Sequence, residues 1–336
     1  MNYEQLDPCL FGPLTEDEKT AVWEVTKRCQ LKCPHCCSNS GDVSSLASYC
    51  DMNIEKAFDY VDILYHNGVK VIYFSGGEPF LWEPLVSVVE RARSYGIECC
   101  IATSGFVDSV QLWNNLIELG VFSFHVSLDS YCKEKHDSFR GVPTAFERAL
   151  KFIDFCKDND MTVVTSSMIT TDLINNFDKM LNLLDAHKVD RAVLNFFVPL
   201  GRATSMTGDI FNTEQKKQIA TLLAEQAVGK TVKLSLKRIY ENGGVLQKCP
   251  AATALIHIDA YGKVSPCSWI GKLWNDMADD ISENVFKNGL VEELYSRIEK
   301  LTDNKCGKCA LNMECGRGCP VIAYFEGDKY DCICGQ

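Results

Sequence analysis

Between residues 21 and 196, short β-branched or aromatic runs alternate with longer helical patterns six times over, and no other feature constrains the fold as strongly. Strands separated by helical crossovers pair in parallel, because each chain return must climb back over the sheet. The runs place strands at 21-25, 70-74, 97-102, 121-126, 161-167 and 191-196. Helices fall near 54-66, 84-95, 109-119, 144-158 and 174-187, and Gly68, Gly96 and Gly120 follow three of them where a left-handed cap residue is expected. Six such units give an α/β fold, a partial (β/α)6 barrel open on one side, whose chemistry belongs to the loops after the strands' C-terminal ends. A further helix is expected at 213-228, opened by Asn212 or Thr213 with Gln215 or Lys216 in its first turn and closed by Gly229. Beyond it Gly243-Gly244, weak periodicity and many cysteines mark a second region. The expected division is an extension over 1-20, the barrel over 21-235 and a cysteine-rich domain over 236-336.

The chain has 336 residues, a formal charge of -11 and a pI near 5.1, so it carries no basic footprint for nucleic acid. No apolar run approaches the ~18 residues that span a bilayer, and the acidic start lacks a signal peptide's basic and apolar regions, so a cytoplasmic location is expected. Eighteen cysteines without a secretion signal argue for metal ligation rather than disulfides.

Three of those cysteines follow the first strand as Cys29-x3-Cys33-x2-Cys36. Three thiolates on a short loop hold three corners of a 4Fe-4S cluster and leave the fourth iron open to a chelating molecule. Gly76-Gly77-Glu78-Pro79 follows the second strand, on the same face. Together these residues resemble the radical S-adenosylmethionine (SAM) enzymes. The resemblance implies that SAM binds the open iron and is reductively cleaved to methionine and a 5′-deoxyadenosyl radical. It also implies cofactor-binding roles in the Gly76-Gly77-Glu78-Pro79 turn, whose backbone carbonyls and Glu78 side chain would take the SAM ammonium. Thr103-Ser104-Gly105 resembles the family's Thr-Asn-Gly turn, with Ser104 in place of Asn. Ser127-Leu128-Asp129 resembles its Ser-Leu-Asp, whose hydroxyl helps bind the SAM carboxylate, with Arg140 supplying the cation. Pro199-Leu200-Gly201-Arg202-Ala203 matches a segment common in peptide-modifying members, and His35 occupies an aromatic position beside the last cysteine.

The tail reads Cys249-x12-Gly262-x4-Cys267, then Cys306-x2-Cys309-x5-Cys315-x3-Cys319, then Cys332 or Cys334. It resembles the seven-cysteine SPASM domain, which carries two auxiliary 4Fe-4S clusters. Carried over, Cys249, Cys267 and Cys319 would hold the first and Cys306, Cys309 and Cys315, with Cys332 or Cys334, the second. The first then lacks a fourth thiolate unless the spare one of Cys332 and Cys334, or an oxygen ligand, completes it. A zinc ribbon is the competing reading of the Cys-x2-Cys spacing. The expected cofactors are therefore three 4Fe-4S clusters and SAM.

Auxiliary clusters accept electrons, so the expected outcome is net oxidation. The first reading is oxidative carbon-carbon or carbon-sulfur cross-linking of a ribosomally made peptide. The expected partners are that peptide, an electron donor such as flavodoxin or ferredoxin, and a separate leader-peptide recognition protein or the barrel surface in its place. The alternatives are a cofactor-pathway oxidoreductase acting on a tetrapyrrole or quinone precursor and a peptide epimerase using Cys37, Cys132 or Cys156 as hydrogen donor. A sulfatase-maturing enzyme is disfavoured by Ser268, where that family has aspartate after the cysteine. A cluster scaffold without activity is disfavoured because the open-site triplet is intact. No general acid or base stands out.

Overall fold

The computed structural model describes residues 19–42, 49–206, 208–237, 250–251, 253–274 and the single positions 279, 281, 321, 324 and 325. The strands are β1 (Thr20–Glu24), β2 (Val71–Ser75), β3 (Glu98–Thr103), β4 (Ser123–Ser127), β5 (Thr162–Met168), β6 (Arg191–Asn195), β7 (Lys233–Lys237), β8 (Leu255–Ile258) and β9 (Val264–Ser265). The helices are α1 (Ile54–His66), α2 (Leu85–Ser94), α3 (Val110–Glu118), α4 (Lys133–Arg140), α5 (Ala145–Asp158), α6 (Thr171–Asn175), α7 (Phe177–Ala186), α8 (Thr213–Gln226) and α9 (Ser268–Trp274).

All six expected strands are present within two residues and pair in parallel in chain order, as the βα alternation requires. The sheet runs further than expected at both edges, in the order β7-β6-β5-β4-β3-β2-β1-β8-β9. β7 continues the parallel array past β6, so residue 236, the expected start of a separate region, lies inside a strand. β8 returns to the opposite edge and pairs in parallel with β1, from Thr20 opposite Leu255 to Trp23 opposite Ile258.

Capping chemistry fixes the helix ends. Asn53 Oδ1 accepts from Lys56 N at the start of α1, and Asn212 and Gln215 form a reciprocal capping box at the start of α8. Gly68, Gly96 and Gly120 take φ of 79°, 74° and 73°, the left-handed values expected of them. One expected helix, 174-187, is two. Thr170 Oγ1 caps α6, and Asn176, at φ −130°, interrupts the helix before α7 begins. The short α4, polar in sequence, was not foreseen; it ends at Gly141, φ 74°.

The sheet has two unlike faces. Trp23, Phe74, Ile101, Phe124 and Leu194 point outward into one apolar core with Trp82, Trp113 and Phe152. Phe152 meets Phe80 and Phe124 edge-on at 5.5 and 5.2 Å. The alternate positions face the lumen, and there Tyr73, Cys100, Ser123, His125, Ser127, Ser166 and Asn195 outnumber the branched apolar Val22, Val71, Val164 and Val193.

Candidate functional site

The cysteine loop crosses the C-terminal ends of the strands and is held almost entirely by backbone. Gly77 N donates to Thr26 O (2.6 Å), Glu78 N to Arg28 O (2.8 Å), Lys32 N to Arg140 O (3.1 Å) and Arg202 N to Cys36 O (3.0 Å). Arg202 adds its side chain, with Nε on Cys33 O (2.8 Å) and Nη1 on Ser40 O (2.9 Å). Such approach needs glycine. A Cβ on Gly77 would overlap the Arg28 carbonyl, and one on Gly201, φ 57°, would lie 2.6 Å from both Cys36 O and Cys37 O. Thus the turns after β2 and β6 and the end of α4 clasp one loop, bringing Cys29, Cys33 and Cys36 over the lumen.

The thiols suit a cationic partner. Burial pushes the Cys29 thiol up to about 12, and charge on Glu78, Cys33 and Cys36 would push the same way. Arg140 Nη1 lies 3.8 Å from Cys33 Sγ, a donor placed to that sulfur. Among the described residues no three His, Cys, Asp or Glu side chains converge on a site for a single metal ion, whereas a multi-iron cluster takes each thiolate on its own iron. His35 Nδ1 and Arg140 Nε are buried beside the loop without a hydrogen-bond partner. The donor set, the glycine cradle and these two unused polar atoms fit a 4Fe-4S cluster carrying a polar ligand.

Two side chains expected at the cofactor have partners within the protein. In the Glu78 carboxylate Oε1 accepts from Thr103 Oγ1 (2.7 Å) and Phe80 N (3.3 Å), and Oε2 from Ser104 N (2.9 Å) and Ser104 Oγ (2.5 Å). Four donors fill its acceptor sites, so Glu78 and Ser104 lock the turns after β2 and β3 together. Burial nonetheless pushes the Glu78 carboxyl above the ordinary carboxylate range, the hydrogen bonds working against it. Arg140 likewise has protein partners on its two terminal nitrogens, while its Nε is left without one. Its Nη2 pairs with Asp129 Oδ2 at 2.5 Å, both residues buried, while Asp129 Oδ1 accepts from Met168 N (3.0 Å). Burial works to raise the Asp129 carboxyl, and Arg140, His35, His136 and the Met168 amide together outweigh it and hold the carboxyl below its usual range. The backbone of Gly76 and Gly77 borders the loop, Pro79 heads a short 3-10 turn just after it, and Ser127 ends β4.

His35 stacks on Phe139, ring centroids 4.4 Å apart, with Phe197 edge-on at 6.3 Å. Cys156 is fully buried in the outer core and Cys132 Sγ donates to Glu134 Oε2 at 3.1 Å, so neither faces the lumen. Cys267 lies with Cys37 against a small apolar cluster that includes Leu200 and Ile270, and its Sγ accepts from Ile270 N. Cys249, Cys306, Cys309, Cys315, Cys319, Cys332 and Cys334 lie outside the described residues.

Sequence reasoning missed one buried charge cluster. Glu24 Oε1, at the end of β1, meets Lys272 Nζ of α9 (2.5 Å), Ser38 Oγ (2.8 Å) and His257 Nε2 of β8 (3.3 Å). Its signal was a lone acid in the apolar run Ala21-Val22-Trp23-Glu24-Val25. The cluster ties β8 and α9 to the stretch just past Cys36.

The family description Radical SAM superfamily matches residues 23–186. The chain is 24% identical over 339 residues to the AdoMet-dependent heme synthase of Methanosarcina barkeri, covering 94% of this chain and 95% of that one. It is 30% identical over 213 residues to the Fe-coproporphyrin III synthase of the same organism, 63% of this chain but only 52%, about half, of that relative. Mycofactocin maturase MftC of Mycobacterium tuberculosis is 25% identical over 342 residues, 98% of this chain and 83% of that one. In fold, Streptococcus suis SuiB bound to precursor peptide SuiA superposes with a TM-score of 0.74 at 16% identity, covering 95% of this chain and 76% of that one. Residues 23–186 therefore form a radical SAM domain, the segment that carries Cys29, Cys33 and Cys36 and the turns after β2, β3 and β4.

Proposed function

We propose that this enzyme abstracts hydrogen from an organic substrate held in the barrel lumen and completes a net oxidation of it. The observation that carries this reading is the cysteine triplet clasped over a polar lumen. Cys29, Cys33 and Cys36 would hold a 4Fe-4S cluster, and Cys249, Cys267, Cys306, Cys309, Cys315 and Cys319, with Cys332 or Cys334, the auxiliary clusters of a domain over 236-336. When bound, the first cluster supplies the electron that splits SAM into methionine and a 5′-deoxyadenosyl radical. The protein's own part is positional. Arg202 and the glycine turns hold the loop, Arg140 donates toward Cys33 Sγ, and the Gly76-Gly77 backbone borders the place where the SAM ammonium would lie. His35 and Phe139 offer a flat apolar wall for a planar group.

The first substrate reading is a ribosomally made peptide, oxidatively cross-linked, with flavodoxin or ferredoxin as electron donor. It is supported by the likeness to the maturase MftC along nearly the whole chain. The second is a tetrapyrrole, supported by the equally long likeness to a heme synthase. The test is anaerobic reconstitution with iron and sulfide, then reduction with SAM present. Release of 5′-deoxyadenosine by the parent, and none after Cys29, Cys33 and Cys36 are changed to alanine, is the expected result; no release by the parent would refute it. Incubation with a peptide encoded beside the gene and, separately, with a porphyrinogen carboxylate then assigns the substrate by which one loses mass in units of two hydrogens.

A further inference from the structure

At the N-terminal ends of the strands, away from the cysteine loop, lies a chamber that the proposed reaction does not use. Its volume is about 740 Å³, within the range of small-molecule sites, about 300–1,000 Å³. Strands β2, β4, β5, β6 and β7 all contribute to its wall, so its shape is set largely by the sheet. Toward the cysteine loop it is closed by the lumen-facing side chains of Cys100, Val193 and Ser235, all buried. One end of the chamber is aromatic and preorganised. His125 packs edge-on against Tyr73 at 5.1 Å, and Ser123 Oγ lies 3.2 Å from His125 Nε2 and 3.4 Å from Cys100 Sγ. Phe122, 60% exposed, adds a third ring at the mouth.

The other end is cationic. Arg191 of β6 and Lys233 of β7 are direct register partners and both line the chamber, so two like charges stand side by side on one face of the sheet. Such a pair is destabilising unless an anion lies between its members. Lys188, at the same rim, is a second irregularity. It follows α7 at φ 53°, in the left-handed position that Gly68, Gly96 and Gly120 fill after α1, α2 and α3. Asp160 takes that position after α5, and aspartate is among the few side chains that visit it readily; lysine is not. Lys188 and Lys233 make no side-chain hydrogen bond or ion pair with any described residue. Asp185 and Asp190 share the rim but are engaged elsewhere. Asp190 Oδ2 accepts from Lys157 Nζ (2.7 Å) and Val163 N (2.8 Å). Asp185 Oδ1 accepts from Thr231 Oγ1 (2.7 Å), with Lys230 Nζ 3.8 Å from Oδ2. The strained lysine and the like-charged pair thus present cations to one chamber in a chain whose formal charge is -11.

We infer that this chamber is a second ligand site, separate from the cysteine site, for a small aromatic acid: its acid group is held by Lys188, Arg191 and Lys233, and its ring lies against Tyr73, His125 and Phe122. Neighbouring strands are about 4.8 Å apart, so Arg191 on β6 stands about 10 Å along the sheet from the rings on β4. A single ring with a short acid arm, met by long arginine and lysine side chains, fills that span. A carboxylate and a phosphate share the chemistry, and the experiment separates them. The site goes beyond the proposed function and does not depend on it.

The reconstituted holoenzyme is titrated by calorimetry with phenylacetate, phenyl phosphate, neutral phenylacetamide and inorganic phosphate. At least one of the two aromatic acids binds about tenfold or more tightly than the amide and than inorganic phosphate, and which one binds identifies the acid group. Saturating SAM does not displace it, because the chamber is closed toward the cysteine loop. The variant carrying both Lys188→Gln and Lys233→Gln binds that acid about tenfold more weakly. Lys188→Gly relieves the left-handed backbone, so it melts at or above the parent while also losing affinity, which separates lost binding from lost fold. Binding of neither acid at millimolar concentration would overturn the inference. So would equal binding of acid and amide, equal binding of acid and inorganic phosphate, displacement by SAM, or undiminished affinity in either variant.

Discussion

At the scale of single residues, the structure concentrates charge where the sequence is apolar. Glu24, largely buried, receives Lys272, Ser38 and His257 on one oxygen. Burial alone would raise its carboxyl, but Lys272 and His257 outweigh that and hold it well below the usual carboxylate range. A depressed folded-state value contributes stability that is complete above the unfolded value, about 4.3, and is lost as pH falls through the folded value. Glu24→Gln leaves the Lys272 ammonium buried and unpaired, which costs about 3 kcal/mol at pH 7. Urea unfolding of parent and variant should show that gap constant from pH 6 to 7 and narrowing below about 4. A gap independent of pH would mean that packing, not charge, carries it. Arg140 and Asp129 make a second buried pair, so Arg140→Gln should also cost about 3 kcal/mol, with part restored when Asp129→Asn is added, a coupling read by a double-mutant cycle.

At the scale of elements, the strands and most helices were legible because each carries its own signal: a β-branched run, an Asn cap, a glycine just past the last turn. The split of 174-187 into α6 and α7 was not, since Asn176 reads as an ordinary helical residue until its φ of −130° is known. The cysteine loop was legible in its ligands and illegible in its support. Backbone donors from Gly77, Glu78 and Arg202 leave no side-chain signature, and neither do Thr103, Ser104 and Asp129, the partners that Glu78 and Arg140 take. The glycines are the trace they leave. Gly201→Ala would put a methyl 2.6 Å from two loop carbonyls at a φ of 57°, in a turn that touches the loop but not the outer core. Reconstituted Gly201→Ala should hold fewer irons than the parent, by up to the four of one cluster, while its melting temperature falls by only a few degrees, about 2–4 °C per kcal/mol for a chain this size. Iron analysis and calorimetry on the same sample decide it, and full iron content would show that the loop tolerates the displacement.

At the scale of the whole molecule, the sheet is parted between an apolar outer face that holds the fold and a polar lumen that is free to hold something else. The sequence shows both faces as alternation within each strand, yet it does not show where the sheet ends. β8 begins at Leu255, 231 residues after β1 ends at Glu24, and nothing local in Leu255-Ile256-His257-Ile258 says which edge it joins. Its pairing makes β1, the strand that launches the cysteine loop, an interior strand. Ending the chain at residue 249 removes β8, α9 and both basic partners of Glu24, exposing the backbone edge of Ala21 and Trp23. A stranded buried carboxylate costs about 3–5 kcal/mol, and the lost ladder adds to it, against a total stability of about 5–15 kcal/mol. The truncated chain should therefore aggregate or melt far below the parent, even though residues 23–186 contain the whole radical SAM match. Gel filtration and thermal melting of the two chains test this. A monomeric truncated chain melting with the parent would show β8 to be an addition to a self-sufficient barrel; an aggregated one would show that the radical site's first strand depends on the far end of the chain.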